Sequence, residues 1–386
     1  MNRVEITSAI VNLGKFSRPV FFDSDYPIQA SRELLITTTL IANMKNSGGD
    51  CYTGMRVDRK FKDNIGEAQA LLLSWRNNYH TVSLEALDVV DNKAQAKPYV
   101  GCFFSGGVDS FYTLLEQQPE ITHLICVQGF DIPIENTVLF GVVEKNLSTI
   151  AKQMGKELII IKTNLRDYFV ANELDWGSEA FGAGLAAVGH LLAYQFEKIY
   201  IPASLDMNNL MPWGSHPDLD PLWSSSALEF THHGCIPRVD KIKRLIGNDL
   251  ALKFLRVCYL NKNNAYNCCK CEKCIRTMLS LYAYGVLDRC ESFPQKLTRR
   301  RVKKLWITSK AASIFVRENI SLLETTGRDP ELKKVLEELL KRPKWKIDLY
   351  LYVRRKKNRF LSVVSYLVAK LKNVIKNNLT RLAKLP

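Results

Sequence analysis

Apolar positions follow two different rhythms along the chain. From residue 99 onward, continuous runs at Tyr99–Phe104, His123–Val127, Glu157–Lys162 and Lys198–Pro202 alternate with stretches at helical spacing, Asp109–Gln117, Asn136–Met154 and Phe181–Phe196. Runs that stay apolar instead of alternating suit strands buried on both faces, so the β-α-β-α order predicts an α/β fold with a parallel, doubly wound sheet. Ligands of such a sheet bind at the carboxyl ends of its strands. Before residue 99 the runs are shorter and β-branched or aromatic, as in Pro19–Phe22 and Leu34–Ile41. They predict a strand-rich accessory region over 1–98 with one helix at Ile65–Trp75. A turn signal at Ser47–Asp50 lies inside it, and the polar stretch Asp91–Pro98 closes it. Near the end, Phe360, Val364, Leu367, Leu371, Val374, Leu379 and Leu382 recur at helical spacing with Lys370, Lys372, Lys376, Arg381 and Lys384 mainly off that stripe. This predicts a basic amphipathic helix within a helical tail, 296–386. No run reaches the roughly 18 apolar residues of a membrane span.

Charge sharpens the division into 1–98, 99–295 and 296–386. The net charge of +15 comes entirely from the tail: from Lys296 on there are 25 Lys and Arg against 7 Asp and Glu, and before it 29 against 32. Only the tail therefore has an electrostatic reason to meet a polyanion, either an anionic membrane surface or RNA, and folding back on its own domain or forming a homo-oligomer are equal uses of such a helix. Sparse aromatic residues weaken single-strand stacking as its purpose. The chain opens without a basic segment followed by an apolar core, which predicts a cytoplasmic, reducing location, with peripheral membrane attachment through the tail. In that setting clustered cysteines point to metal or chemistry before disulfides, and four of the ten lie between Cys268 and Cys274.

The densest chemical signal follows the first run of the alternating region. Ser105-Gly106-Gly107-Val108-Asp109-Ser110 sits between a strand and a helix pattern. Its glycines allow a tight turn and close backbone approach, and the helix start behind them favours an anion. The lysine of the Walker A spacing is absent. The pattern resembles the PP-loop of the N-type ATP pyrophosphatases. That resemblance implies that Ser105, Gly106, Gly107, Val108, Asp109 and Ser110 hold the pyrophosphate portion of ATP, with Mg²⁺ bridging the phosphates and Asp109 and Ser110 as the catalytic contacts. It also implies attack of a substrate oxygen on the α-phosphate, followed by displacement of the adenylate by a nucleophile. Gln128 and Gly129, where the second strand ends, fall where such proteins meet adenine or ribose, and Lys162 at the end of the third is a weaker candidate for neutralising pyrophosphate.

Cys258, Cys268, Cys271 and Cys274 have the spacing C-x9-C-x2-C-x2-C, with Cys269 as an extra. Two successive C-x2-C steps bring thiolates around one ion, and an earlier cysteine closes a tetrahedron, which suits structural Zn²⁺; an iron–sulfur cluster is the minor alternative. Lys270, Lys273 and Arg276 offset the thiolate charge. Within the superfamily, this cysteine set after the nucleotide domain resembles the 7-cyano-7-deazaguanine synthases over roughly residues 99–285. The resemblance implies a ligase-like enzyme that activates a carboxylate or carbonyl small molecule with ATP for attack by ammonia or sulfur. Residues 1–98 and 296–386 have no counterpart in it.

Between sheet and cysteines, the loop Pro212–Ser224 supplies His216, Asp218, Asp220 and Ser224 as substrate-lining candidates; equally, such side chains satisfy local backbone groups. His232-His233 with Cys235 reads as a polar loop, able to ligate metal or move a proton. Two further functions stay open: a tRNA-modifying PP-loop enzyme whose tail grips RNA, and a nucleotide-binding scaffold without turnover recruited by its tail. A reductase of the sulfate-assimilation type would leave the cysteine set unexplained.

Overall fold

Seven strands hydrogen-bond into one sheet in a computed structural model that describes residues 1–8, 13–46, 52, 54–85, 88–91 and 97–356. The first stretch of chain provides β1 (Asn2–Ile6), β2 (Val20–Ser24), α1 (Arg32–Asn46), β3 (Arg56–Asp58), α2 (Arg59–Trp75) and β4 (Asp88–Val90). The alternating region follows as β5 (Tyr99–Phe103), α3 (Val108–Glu116), β6 (His123–Gln128), α4 (Thr137–Gln153), β7 (Glu157–Thr163), α5 (Leu165–Ala171), α6 (Phe181–His190), β8 (Phe196–Pro202) and β9 (Glu229–His233). Three helices complete this part: α7 (Arg238–Leu245), α8 (Asp249–Phe254) and α9 (Glu272–Ala283).

Strands β5 to β9 run parallel, whereas β1 pairs antiparallel with β2 and β2 antiparallel with β7. Their chain order matters for function. From β5 the chain moves outward to β6 and β7, then returns to lay β8 and β9 on the other side of β5. The connections leaving β5 and β8 therefore diverge, which makes their carboxyl ends the switch point at which ligands of such sheets bind.

Register explains the two covered faces. Phe103, Ile125 and Ile159 share one face with Ile161 and Ile199, in a single apolar core with α1 and α6. Tyr200 lies on the opposite face with Cys102 and Leu124, and its hydroxyl donates to Gln117 Oε1 at the end of α3. Helices α3 and α4 cover that second face.

Two expectations need correction. The run Leu34–Ile41 is not a strand but lies within α1, where Ser31 Oγ accepts from Leu34 N at the helix start and every residue from Leu34 to Met44 is buried. Burial on all sides, at about 1.5–3 kcal/mol per large apolar side chain, outweighs the weak helix preference of Ile36, Thr37, Thr38 and Thr39. The N-terminal residues are thus less strand-rich than expected, and β1 and β2 extend the main sheet. One compact unit spans Met1–Leu297. Second, His232 and His233 form the end of β9, beside Ile201 and Pro202. The predicted turn at 47–50 and most of the 91–98 stretch fall outside the described residues.

The second compact unit begins at Thr298. It contains α10 (Arg299–Lys303), α11 (Lys310–Thr326), α12 (Pro330–Leu340) and a helix over 344–356. Phe315, Leu323, Leu332, Leu336 and Leu339 form its buried side. Arg299, Arg300, Lys303 and Lys304 are exposed. The expected helix from Phe360 to Lys384 lies outside the described residues. Among the described residues no helix is long and apolar enough to cross a membrane.

Candidate functional site

The loop 105–110 joins β5 to α3 at this switch point. Gly106 takes φ +74°, a left-handed conformation that an L side chain adopts only with strain, and its carbonyl accepts from Arg256 N at 2.8 Å. Gly107 is the cap residue of α3 and gives that helix start no side-chain acceptor. The first N–H groups of α3 thus lack a side-chain cap, at the positive end of the helix dipole. Ser105 is exposed, whereas Ser110 is buried and donates to Gly107 O at 3.1 Å. Val108 is fully buried and anchors the turn.

Asp109 points to two cations that sequence reasoning missed. Its Oδ1 accepts from Arg238 Nη1 at 3.0 Å and Lys241 Nζ at 3.0 Å, and its Oδ2 accepts from the same Arg238 nitrogen at 2.8 Å. Burial alone would raise this carboxyl, but Arg238 and Lys241 overcome it and hold Asp109 well below the ordinary carboxylate range. Lys241 is 0% exposed and also donates to Ala203 O, just past β8, at 2.6 Å. These contacts lock the start of α7 to the start of α3 and to the end of β8.

Arg256, 4% exposed, packs beside the glycines and donates to Asn261 Oδ1 at 2.7 Å, while its buried Nε has no hydrogen-bond partner among the described residues. Lys273 stands close enough to Asp131, Arg276, Arg238 and Asp109 to feel each of them. Burial first, then Arg276 and Arg238, press its pKa below the ordinary lysine range against the pull of Asp131 and Asp109. Cations from α7 and from the segment before the cysteines therefore pack against the loop, with Lys273 of α9 within electrostatic reach of Asp109, in a stretch, residues 1–295, whose summed charge is slightly negative. No local motif announces them; the spacing Arg238-x-x-Lys241, one helical face, is the only signal.

The neighbouring strand ends are built tightly. Gly129 follows β6 at φ +109°, and an added Cβ would stand 1.9 Å from Thr163 O. Gln128 is buried and spends its amide N–H on Ile134 O at 3.1 Å. Lys162, half-buried, is paired in register with Gln128.

The four candidates from the 212–224 loop separate. His216 is buried against Trp75, ring centroids 5.0 Å apart, and its Nδ1 accepts from Asp218 N at 3.1 Å. Asp218 is exposed. Ser224 is buried and its Oγ accepts from Phe230 N at 2.9 Å. Asp220 is fully buried and reaches β9 instead, where its Oδ2 lies 2.6 Å from His232 Nδ1.

Cys258, Cys268, Cys271 and Cys274 are brought together. All four are buried and their sulfur atoms lie within 4.8 Å of one another, a group that could hold a metal such as zinc. Cys269 takes φ +53° at the bend of the first C-x2-C step and stands outside the group, as do His232 and His233. Backbone N–H groups support the sulfurs: Cys271 N donates to Cys268 Sγ at 3.3 Å and Cys274 N to Cys271 Sγ at 3.4 Å. Cys271 is pushed up to about 12, first by its hydrogen bond to Cys258, because neighbouring thiols cannot all ionise without a cation among them. That donor set fits a closed tetrahedral site. Asn267, unforeseen in the sequence, clamps it: Oδ1 accepts from Val257 N at 2.9 Å and Cys258 N at 3.2 Å, while Nδ2 donates to Leu255 O and Ser292 O. Cys271 also caps α9, the helix that carries Lys273 and Arg276. Comparison of the chain with protein-family models, with curated proteins and with solved structures finds no match in any of the three.

Proposed function

We propose that the protein is an ATP-dependent enzyme of the PP-loop type, which adenylates a carboxylate or carbonyl substrate, releases pyrophosphate and passes the activated carbon to ammonia or a similar nucleophile. The observation that carries this reading is the start of α3, free of a side-chain cap and bent by Gly106, with Arg238 and Lys241 on Asp109 and Arg256 packed beside the glycines. Backbone N–H groups and fixed cations stabilise phosphate charge without reorganising, and Mg²⁺ supplies further neutralisation when bound with ATP.

In this reading Asp109 is a positioning residue: Arg238 and Lys241 engage both its oxygens and so hold the first turn of α3, behind the glycine loop, in place. Zn²⁺ in the four-cysteine group is structural and fixes the start of α9, which places Lys273 and Arg276. The test is AMP and pyrophosphate production from ATP on addition of metabolite fractions. Fractions that provoke both products identify the acceptor; binding of ATP without AMP formation in any fraction replaces the enzyme by a nucleotide-binding scaffold.

A tRNA-modifying variant of the same chemistry draws on the exposed Arg299, Arg300, Lys303 and Lys304. It predicts RNA binding by the full chain that weakens steeply with salt. An anionic vesicle surface is the competing partner for the same charges.

A further inference from the structure

Three side chains outside the cradle form a connected series at the same end of the sheet. Asp220, fully buried on the turn before Trp223, accepts from Ser215 Oγ at 2.7 Å and lies 2.6 Å from His232 Nδ1. His232, with a side chain 5% exposed, also lies within reach of the side chain of Cys235, which follows it just past Gly234. Cys235 is half-buried, whereas the other eight cysteines among the described residues are buried. Its place is fixed by Gly234 at φ +91° and by its carbonyl, which accepts from Met207 N at 3.2 Å. Three residues further on, Arg238 grips Asp109, so this series and the glycine loop share one rim.

A buried carboxylate that orients an imidazole beside a half-buried cysteine is an arrangement that can activate the thiol. Burial works against charge on His232, but Asp220 and Cys235 overcome it and push the imidazole up to about 9, so it keeps its proton at neutral pH. The four-cysteine group does not use this thiol.

We propose that Cys235 is a covalent nucleophile, oriented by His232 and Asp220, which receives the acyl group of the adenylate formed at the loop 105–110. The proposal rests on the adenylation reading above. The Cys235 thiolate attacks the carbonyl carbon; the C–S bond forms, the bond from that carbon to the AMP oxygen breaks, and its electron pair leaves with AMP. Ammonia then attacks the thioester carbon, the C–S pair returns to sulfur, and one ammonia proton passes to solvent, giving the amide.

Two measurements on the full chain decide it. Alkylation by iodoacetamide at neutral pH, followed by peptide mass spectrometry, should label Cys235 at least about tenfold faster in the wild type than in His232→Gln or Asp220→Asn, with equal labelling of all three in urea. Equal rates in the folded proteins overturn the proposal. Rapid acid quench of the wild type with MgATP and a deproteinised metabolite extract should give a hydroxylamine-labile adduct on Cys235 that is absent from Cys235→Ser. AMP formation with Cys235 unmodified throughout turnover overturns the nucleophile and leaves adenylation standing. No AMP in any extract removes adenylation, and the proposal with it.

Discussion

One guanidinium nitrogen of Arg238 contacts both carboxylate oxygens of Asp109, at 3.0 and 2.8 Å, across 129 residues of sequence. The contact ties the first turn of α3 to the first turn of α7. Removing the carboxylate leaves Lys241, which is 0% exposed, facing Ala203 O without a counter-ion. Asp109→Ala should therefore lower unfolding free energy by about 3 kcal/mol, in the range for breaking a buried pair, as well as abolish nucleotide-dependent activity. Chemical denaturation checks the first part. A loss under about 0.5 kcal/mol would show that the pair contributes no more than a surface one.

Glycine positions separate nucleotide binding from folding. Gly106→Ala adds a methyl whose nearest neighbour is Leu147 at 3.4 Å, an ordinary contact, but must hold φ +74°, so a modest loss of stability, about 1 kcal/mol, should accompany a clear loss of ATP affinity. Gly129→Ala would drive its Cβ onto Thr163 O and should destabilise far more. Paired melting curves and titration with a non-hydrolysable ATP analogue distinguish the two. The reverse ranking in stability would contradict the packing at the end of β6.

Metal analysis should find about one zinc per chain, and Asn267→Ala should weaken its retention against a chelator by 10- to 100-fold, the usual effect of removing a group that orients ligands. Asn267 touches no ion itself; it holds the segments bearing Cys258 and Cys268 at their separation. Less than about half an equivalent of zinc, with no iron, would remove the four-cysteine metal site.

His232 has a pKa raised by Asp220 and Cys235 from the ordinary histidine value to about 9. A raised folded-state pKa contributes stability that is complete below the unfolded value, about 6.5, and is lost as pH rises through the folded one. The melting temperature should accordingly fall between about pH 6.5 and 9, by an amount worth on the order of 2–3 kcal/mol, and His232→Gln should flatten that slope. A wild-type profile level across this window would mean that the imidazole is not held charged.

Legibility of the sequence followed the range of the interactions involved. The strands β5 to β8 and helices α3 and α4 were readable because each carries its own signal: apolar runs buried on both faces, and a 3.6-residue repeat on helices with one face in the core. Helix α1 was not, because burial on every side erases the polar face that marks a helix, and Thr37-Thr38-Thr39 supplies the composition of a strand. β9 hid for the opposite reason: Glu229-Phe230-Thr231-His232-His233 has a single large apolar residue, and only pairing with β8 makes it a strand. The glycine turn and the cysteine spacing are local and were plain. Arg238, Lys241 and Asn267 act through contacts that only the folded chain creates.

Ser24 Oγ donates to Ile160 O at 2.8 Å, across 136 residues. During synthesis at roughly 5–20 residues per second, the amino-terminal hairpin must wait roughly 7–27 seconds for the strand it completes. Until then its unpaired edge is open to other strands, so the order of synthesis leaves this edge exposed to mispairing until β7 emerges.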